Sequence, residues 1–324
     1  MALFENQRPL VFQTKFPQRF SFNQEDIEDR YMAINEFEGT THLQVRTIYY
    51  KYEMRKWLGK TVMRAFGRKT TLSPFHVKHR YTVRHAKNIV IDEGLAVVSR
   101  SQPSWFYTAF ERDSADPLTN YSLRFIEENV SKTAPILITG CGTGITTFHL
   151  ADCGFKSIEG RDLLDKCIRI ATRLKNEFSY DEVKFLVDDC FNPTLDACYD
   201  LITAMHWVFS AWGGNYGNHI ITNPKDPTVR ERLLTDLLGR YAKHLNKNGL
   251  MIIELTDAVA DYREAHDSPG ILSLGLSLED IYPIRHTPEQ VSKCAKSVDL
   301  EIVNKQLSVS YGHQPRTTYF LKKN

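Results

Sequence analysis

The chain has 324 residues and only six cysteines, at 141, 153, 167, 190, 198 and 294, with no Cys-x-x-Cys pair and no His/Cys cluster at zinc spacing. That excludes a zinc site legible from spacing, and the cysteines that fall in apolar stretches read as small hydrophobes. No carboxylate cluster offers itself to a metal either; Asp257 and Asp261 stand four apart, as on a solvated helix face. No uninterrupted apolar run approaches the roughly 18 residues a bilayer span needs, and the opening MALFENQRPL lacks a basic segment followed by an apolar core. Internal repeats and low-complexity tracts are absent. The expectation is a soluble, cytoplasmic protein with reduced thiols, no metal and no membrane partner.

Net charge is scarce as well. Lys+Arg 41 against Asp+Glu 39 gives +2 overall, which says little about partners. The distribution says more: between Arg46 and Lys87 twelve cations face one acid, Glu53, a balance of +11 that leaves −9 for the rest of the chain. Aromatic residues are interleaved with these cations in Tyr49, Tyr50, Lys51, Tyr52, Arg55, Lys56 and Trp57.

What is present is periodicity. Residues 1–23 read as an irregular arm, Asn23 to Phe37 as an amphipathic helix, and Thr41 to Leu58 as a second helix ended by Gly59. Short strands are predicted at Ile89–Ile91 and Ala96–Ser99, then a polar and aromatic connector with Trp105, Phe106, Tyr107 and Phe110. Asp116-Pro117 starts a helix that runs to Asn129. From there strand-like and helix-like runs alternate: Ile136–Thr139, Thr146–Cys153, Ser157–Glu159, Leu164–Phe178, Val183–Val187, Leu201–Met205, Thr228–Leu245, Leu250–Leu255 and Thr287–Val298. Two closing strands, Glu301–Ser310 and Thr317–Leu321, form an antiparallel hairpin at one edge. This alternation predicts an α/β fold with a doubly wound, mostly parallel sheet. The division expected is a mostly helical N-terminal extension over 1–115 that builds an acceptor site, and a sheet domain over 116–324.

In such a sheet ligands bind beyond the carboxyl ends of the strands. The first strand ends in Gly140-Cys141-Gly142-Thr143-Gly144, a turn that brings backbone close to a ligand and aims the next helix's N–H groups at it. Asp162, 22 residues after Gly140, has the spacing of an acid that accepts both hydroxyls of a ribose; its other reading is a helix cap. Asp189, with Asp188 as runner-up, ends the third strand where an adenine amino group is recognised, or else the pair closes a turn before Asn192-Pro193. A nicotinamide dinucleotide loop, GxGxxG, is one residue longer than the one present.

Taken in order, ILITGCGTG, GRDLLDKCIRIA, FLVDDC, YDLITAMHWVF and NGLMIIEL resemble the class I S-adenosylmethionine-dependent methyltransferases, over about residues 117–324. The resemblance implies a Rossmann-like seven-stranded methyltransferase core that binds S-adenosyl-L-methionine. It implies that Gly140, Cys141, Gly142 and Gly144 line the methionine and ribose end. By the same resemblance Asp162 holds the ribose, Leu163 flanks the adenine, and Asp189 with Cys190 addresses its edge. The family's acid two residues before the first glycine is Ile138 here, with Thr139 and the fourth-strand loop as candidates for its role. The fourth strand end, Ala204-Met205-His206-Trp207, is where the family faces its methyl acceptor. His206 is the candidate general base or acceptor-orienting group, against the plainer reading of a hydrogen-bonded histidine beneath the cofactor. Trp207 is a candidate acceptor contact, and Trp212 and Tyr216 in FSAWGGNYGNH are candidates for an acceptor lid. Tyr49, Tyr52, Trp57, Trp105 and Tyr107 are pocket candidates or core, and Tyr262 to Arg285 is an insertion that could close the pocket. No Pro-Cys dipeptide supplies the thiol used on pyrimidine carbon 5, and Asn223-Pro224-Lys225-Asp226 is not the Asn-Pro-Pro-Tyr of amino-directed DNA enzymes.

Three functions follow. The first is methyl transfer to oxygen or nitrogen of a small-molecule acceptor. The second is methylation of RNA held by the basic 46–87 segment. The third is a non-catalytic cofactor-binding or interaction protein.

Overall fold

The structure is a computed structural model that describes residues 50, 53–54, 57–58, 77–95, 110, 117–208, 226–256, 284–308 and 316–324. The described chain divides into two compact units: one holds Ala134–Gly140 and everything from residue 188 onward, the other the residues up to 133 and Cys141–Val187. Helices α1 (Val83–Asp92) and α2 (Pro117–Asn129) precede β1 (Pro135–Thr139), α3 (Ile145–Asp152), β2 (Ser157–Asp162), α4 (Asp165–Glu177) and β3 (Val183–Val187). Then come β4 (Tyr199–Ala204), α5 (Pro227–Ala242), β5 (Leu245–Thr256), α6 (Pro288–Lys296), β6 (Leu300–Ser308) and β7 (Arg316–Lys323).

The strands form one seven-stranded sheet in the order β3-β2-β1-β4-β5-β7-β6. β1, β4 and β5 are parallel neighbours, as are β2 and β3, and β7 runs antiparallel to both β5 and β6. The doubly wound, mostly parallel α/β sheet expected from the alternation is therefore the fold, and the closing hairpin lies at one edge. The strand order reverses at β1 and β4, the switch point where open α/β sheets bind ligands.

In the first unit the central strands read as near-continuous apolar runs because both of their faces are covered. Leu137, Ile202, Met251 and Ile253 are fully buried together with Leu234, Leu237, Leu238 and Tyr241 of α5 and Val291 and Cys294 of α6. The helix starts are set locally. The Asp226 side chain accepts from the Thr228 N–H and Pro227 opens α5. Thr287 and Gln290 form a reciprocal capping box on α6.

In the second unit α3 is buried along almost its whole surface, Ile145 to Ala151, while α4 buries a stripe at Cys167, Ile168, Ile170, Ala171 and Leu174. The strand predicted at Ile89–Ile91 is corrected: these residues lie in α1. A short apolar run cannot be told from a helix segment by periodicity. Here the Thr82 side chain accepts from the His85 N–H to start a helix, and Ala86, Ile89 and Val90 bury one helical face. An ion pair of Arg173 with Glu93 (3.3 Å) and a hydrogen bond between His85 and Glu177 fasten α1 to α4.

Part of the basic segment's charge is met by the chain itself: Arg80 pairs with Asp152 (3.2 Å) and Glu182, and Lys87 with Glu53. Of the second expected helix, positions 50, 53, 54, 57 and 58 are helical. The arm, the Asn23–Phe37 helix, the Ala96–Ser99 strand, the boundary at 115/116 and most of the connector lie outside the described residues. Among the described residues no helix is long and apolar enough to cross a membrane.

Candidate functional site

β1 and β4 deliver two loops at their carboxyl ends in the first unit, Thr139-Gly140 and Met205-His206-Trp207. One hydroxyl joins them: Thr139 Oγ1 donates to the Thr203 carbonyl at 2.7 Å and accepts the Trp207 indole N–H at 3.1 Å. The indole then lies on Gly140. A Cβ at that position would stand 2.2 Å from Trp207 Cδ1, and the residue's φ of +62° is left-handed. Only glycine meets both demands. The Gly140 N–H donates to Cys190 Sγ at 3.2 Å, and Phe191 meets the indole edge to face at 4.9 Å. Trp207, expected to face an acceptor, is 8% exposed and supports the glycine turn with ring and N–H alike. Ile138 is buried, and the turn is braced by the neighbouring residue, Thr139.

In the second unit the turn continues through Cys141 to Gly144. Gly142 (φ +54°) and Gly144 (φ +86°) are left-handed too. A Cβ at Gly144 would meet Phe148 and Phe185 at 2.8 Å. Gly144 is the N-cap of α3 and has no side chain to cap it, so the helix's first N–H groups receive no bond from the cap. The Gly142 N–H donates to Asp162 Oδ2 at 2.8 Å, and the Leu164 N–H to Oδ1 at 2.9 Å. Burial pushes the Asp162 carboxyl up, and these two backbone bonds oppose the shift. Each oxygen has accepted one backbone bond and retains a second lone pair, which suits a vicinal diol. Leu163 is half-buried beside it. The carboxyl is 8% exposed, so it is not a solvated cap, but its bond to the Leu164 N–H at the N-cap of α4 keeps a helix-start role beside the ribose one.

After β3, buried Asp188 accepts the Thr194 N–H (3.1 Å) and hydroxyl (3.1 Å). Asp189, half-buried, accepts the Phe191 N–H at 2.9 Å and the Asn192 amide at 3.3 Å. Both aspartates thus close the turn before Pro193, and Asp189 is the more open of the two. The Cys190 carbonyl accepts the Tyr241 hydroxyl.

The first unit also holds a buried carboxylate that no sequence motif marks. Glu254, 1% exposed in β5, accepts the His206 backbone N–H at 2.7 Å on Oε2, and His206 Nδ1 lies 3.2 Å from the same oxygen. Arg316, at the start of β7, places Nη1 2.6 Å from Oε1. Burial works to raise the Glu254 carboxyl, but Arg316 and His206 outweigh it and hold it at about 2. The signal was a lone acid in the otherwise apolar run Leu250 to Leu255. His206 itself has φ +68°, a left-handed conformation in a non-glycine residue. Such strain costs about 1–2 kcal/mol and persists where the surroundings impose it.

Trp212, Tyr216 and the rest of the second glycine cluster lie outside the described residues, as do Asp257, Asp261, Tyr49, Tyr52, Trp105, Tyr107 and most of the Tyr262–Arg285 insertion. Trp57 is described and 66% exposed. Among the described residues no group of three His, Cys, Asp or Glu side chains could hold a metal.

This architecture is the fold of the S-adenosylmethionine-dependent methyltransferases. Magnesium protoporphyrin IX methyltransferase from Synechocystis PCC 6803, solved with S-adenosylhomocysteine bound, superimposes with a TM-score of 0.51 at 11% identity, covering 74% of this chain and 97% of that one. TehB from Haemophilus influenzae gives a TM-score of 0.47 at 13% identity, over 67% of this chain and 66% of that one. At such identities the likeness is one of fold. No protein-family model matches the chain, and no curated protein matches it by sequence.

Two outcomes follow. Gly154 has φ +93° with nothing within 4 Å of a Cβ, so Gly154→Ala meets only the left-handed penalty, about 1–2 kcal/mol. Gly140→Ala adds the indole clash, for a further loss of about 1–3 kcal/mol in urea unfolding. A Trp207→Leu background is expected to recover much of that increment. The second outcome concerns acid. The Glu254 carboxyl titrates lower folded than unfolded, so its stabilisation is complete above the ordinary carboxylate value of 4.5 and is lost as the pH falls from there towards about 2. Wild type should therefore be more stable than Glu254→Gln at pH 7 by about 3 kcal/mol, with the gap closing across pH 5 to 2. Parallel stability curves across that range would exclude the ion pair.

Proposed function

We propose that the chain is an S-adenosyl-L-methionine-dependent methyltransferase acting on oxygen or nitrogen of a small-molecule acceptor. The observation that carries this reading is the GxGxG turn beyond β1: all three glycines are left-handed, two of them in places a Cβ would fill, and the turn's central N–H is tied to Asp162. Those residues fit the cofactor. Gly140, Cys141, Gly142 and Gly144 would present backbone to its methionine and ribose end, and Asp162 would accept the ribose hydroxyls. Leu163 would flank the adenine and Asp189 and Cys190 would meet its edge. The cofactor supplies, when bound, a methyl group made electrophilic by a sulfonium. The chain's own part is placement and proton handling. Holding an acceptor in line within about 3–3.5 Å in a dry pocket supplies much of the rate of such a transfer. His206, at the end of β4, would take the acceptor's proton or orient it, and Trp212 and Tyr216 would cover the acceptor.

A second reading, RNA as acceptor, is favoured by one observation. Tyr50 and Trp57, within the +11 segment, are 68% and 66% exposed, as stacking platforms are. The pairing of Arg80 and Lys87 with acids of the chain itself reduces the charge left for phosphates.

Calorimetry with S-adenosylhomocysteine decides first. Saturable binding is expected, weakened at least ~10-fold in Asp162→Ala through loss of charge-assisted bonds. No heat at millimolar ligand would leave a non-catalytic interaction protein as the surviving reading. For the acceptor, binding to mixed tRNA that falls steeply between 50 and 200 mM salt would favour RNA, and no binding at low salt excludes it.

A further inference from the structure

We infer that Glu254, clamped by Arg316, holds His206 as the Nδ1–H tautomer, making Nε2 the proton-accepting nitrogen and suiting the site to an acceptor that must lose a proton, such as a hydroxyl. This rests on the methyltransferase reading and names a positioning residue that reading does not contain.

The geometry is specific. One carboxylate oxygen, Oε2, takes the His206 backbone N–H at 2.7 Å and lies 3.2 Å from Nδ1 of the same residue. The other, Oε1, faces Arg316 Nη1 at 2.6 Å. The carboxylate is ionised because the guanidinium sits beside it, and both side chains are almost fully buried, at 1% and 5% exposure. A bare nitrogen lone pair held 3.2 Å from a buried anionic oxygen is repelled, so the proton resides on Nδ1. The neutral ring then carries its lone pair on Nε2. Among the described residues Glu254 is the charged group recorded against the ring, and Arg316 sits on its other oxygen.

The left-handed backbone of His206 (φ +68°) goes with the bond its N–H donates to Glu254 Oε2, and that bond places the start of the imidazole beside the carboxylate. This is the nucleophile, base and orienter logic of acid–base sites. The proton step balances within it. The acceptor's O–H bond breaks, an N–H bond forms at Nε2, the bonding pair stays on oxygen, and the new imidazolium is met by the Glu254 carboxylate. An acceptor with no proton to lose, such as a thioether, would have no use for the arrangement.

The test is nitrogen-15 NMR on the 324-residue chain labelled at histidine, with His206→Gln identifying the signal among the eleven histidines. Wild type is expected to show Nδ1 protonated and Nε2 bare in the neutral ring. Glu254→Gln is expected to shift the population towards Nε2–H and to lower the pH at which the ring protonates, while S-adenosylhomocysteine affinity stays within about threefold. An Nε2–H tautomer in wild type overturns the inference, and that measurement needs no variant to fold. A folded Glu254→Gln with an unchanged His206 spectrum overturns it too. Wild type that binds no cofactor refutes the methyltransferase reading instead, and calorimetry reports that separately.

Discussion

The contact between the Trp207 indole and the bare Cα of Gly140 is the constraint on which the first unit's strand ends depend. It forces a glycine where β1 ends, and it buries an aromatic donor that must be satisfied. Thr139 satisfies it while bonding the β4 carbonyl of Thr203. One hydroxyl thereby locks the β1 exit to the β4 exit, and the glycine's left-handed turn becomes the low-energy path for the chain. A substituent at Gly140 would break steric fit, backbone conformation and a buried hydrogen bond together, which is why the turn tolerates no side chain there.

A second buried polar feature sits one strand further along. Glu254 is an anion inside an apolar strand, a placement that costs several kcal/mol unless partners compensate. Arg316, from the antiparallel strand β7, supplies the charge, and the backbone of His206 supplies a hydrogen bond. The closing hairpin is therefore more than an edge: without β7 the buried carboxylate would keep its bond to the His206 N–H but lose the cation beside it. The two exits next to the topological switch are thus organised by different physics, packing at Gly140 and electrostatics at His206.

Much of the sheet was legible because its signals are local. Buried parallel strands read as apolar runs of four to six residues, and helices between them carry their caps in the sequence, as Asp226-Pro227 and Thr287 with Gln290 show. Ile89–Ile91 was misread because three β-branched or apolar residues fit a strand or a helix equally, and the choice fell to Thr82 as cap and to the face α1 buries. The place of Asp162 at the end of the second strand was legible from the alternation. What it does for the turn, accepting the Gly142 N–H, was not, since that bond joins residues 20 apart in the chain. Glu254 and Arg316 are not legible as a pair because 62 positions separate them and a buried ion pair leaves no periodicity.

By itself the sequence determined the α/β alternation, the glycine spacing and the acids that follow the second and third strands, because each is written in neighbours or in short, countable intervals. Tertiary structure alone decided that Trp207 lies beneath Gly140 instead of presenting its indole outward, that Asp188 and Asp189 are spent in part on their own turn, and that His206 is paired with Glu254. Those outcomes depend on which distant side chain fills a given volume or neutralises a given charge, and such choices are made only when the strands are side by side.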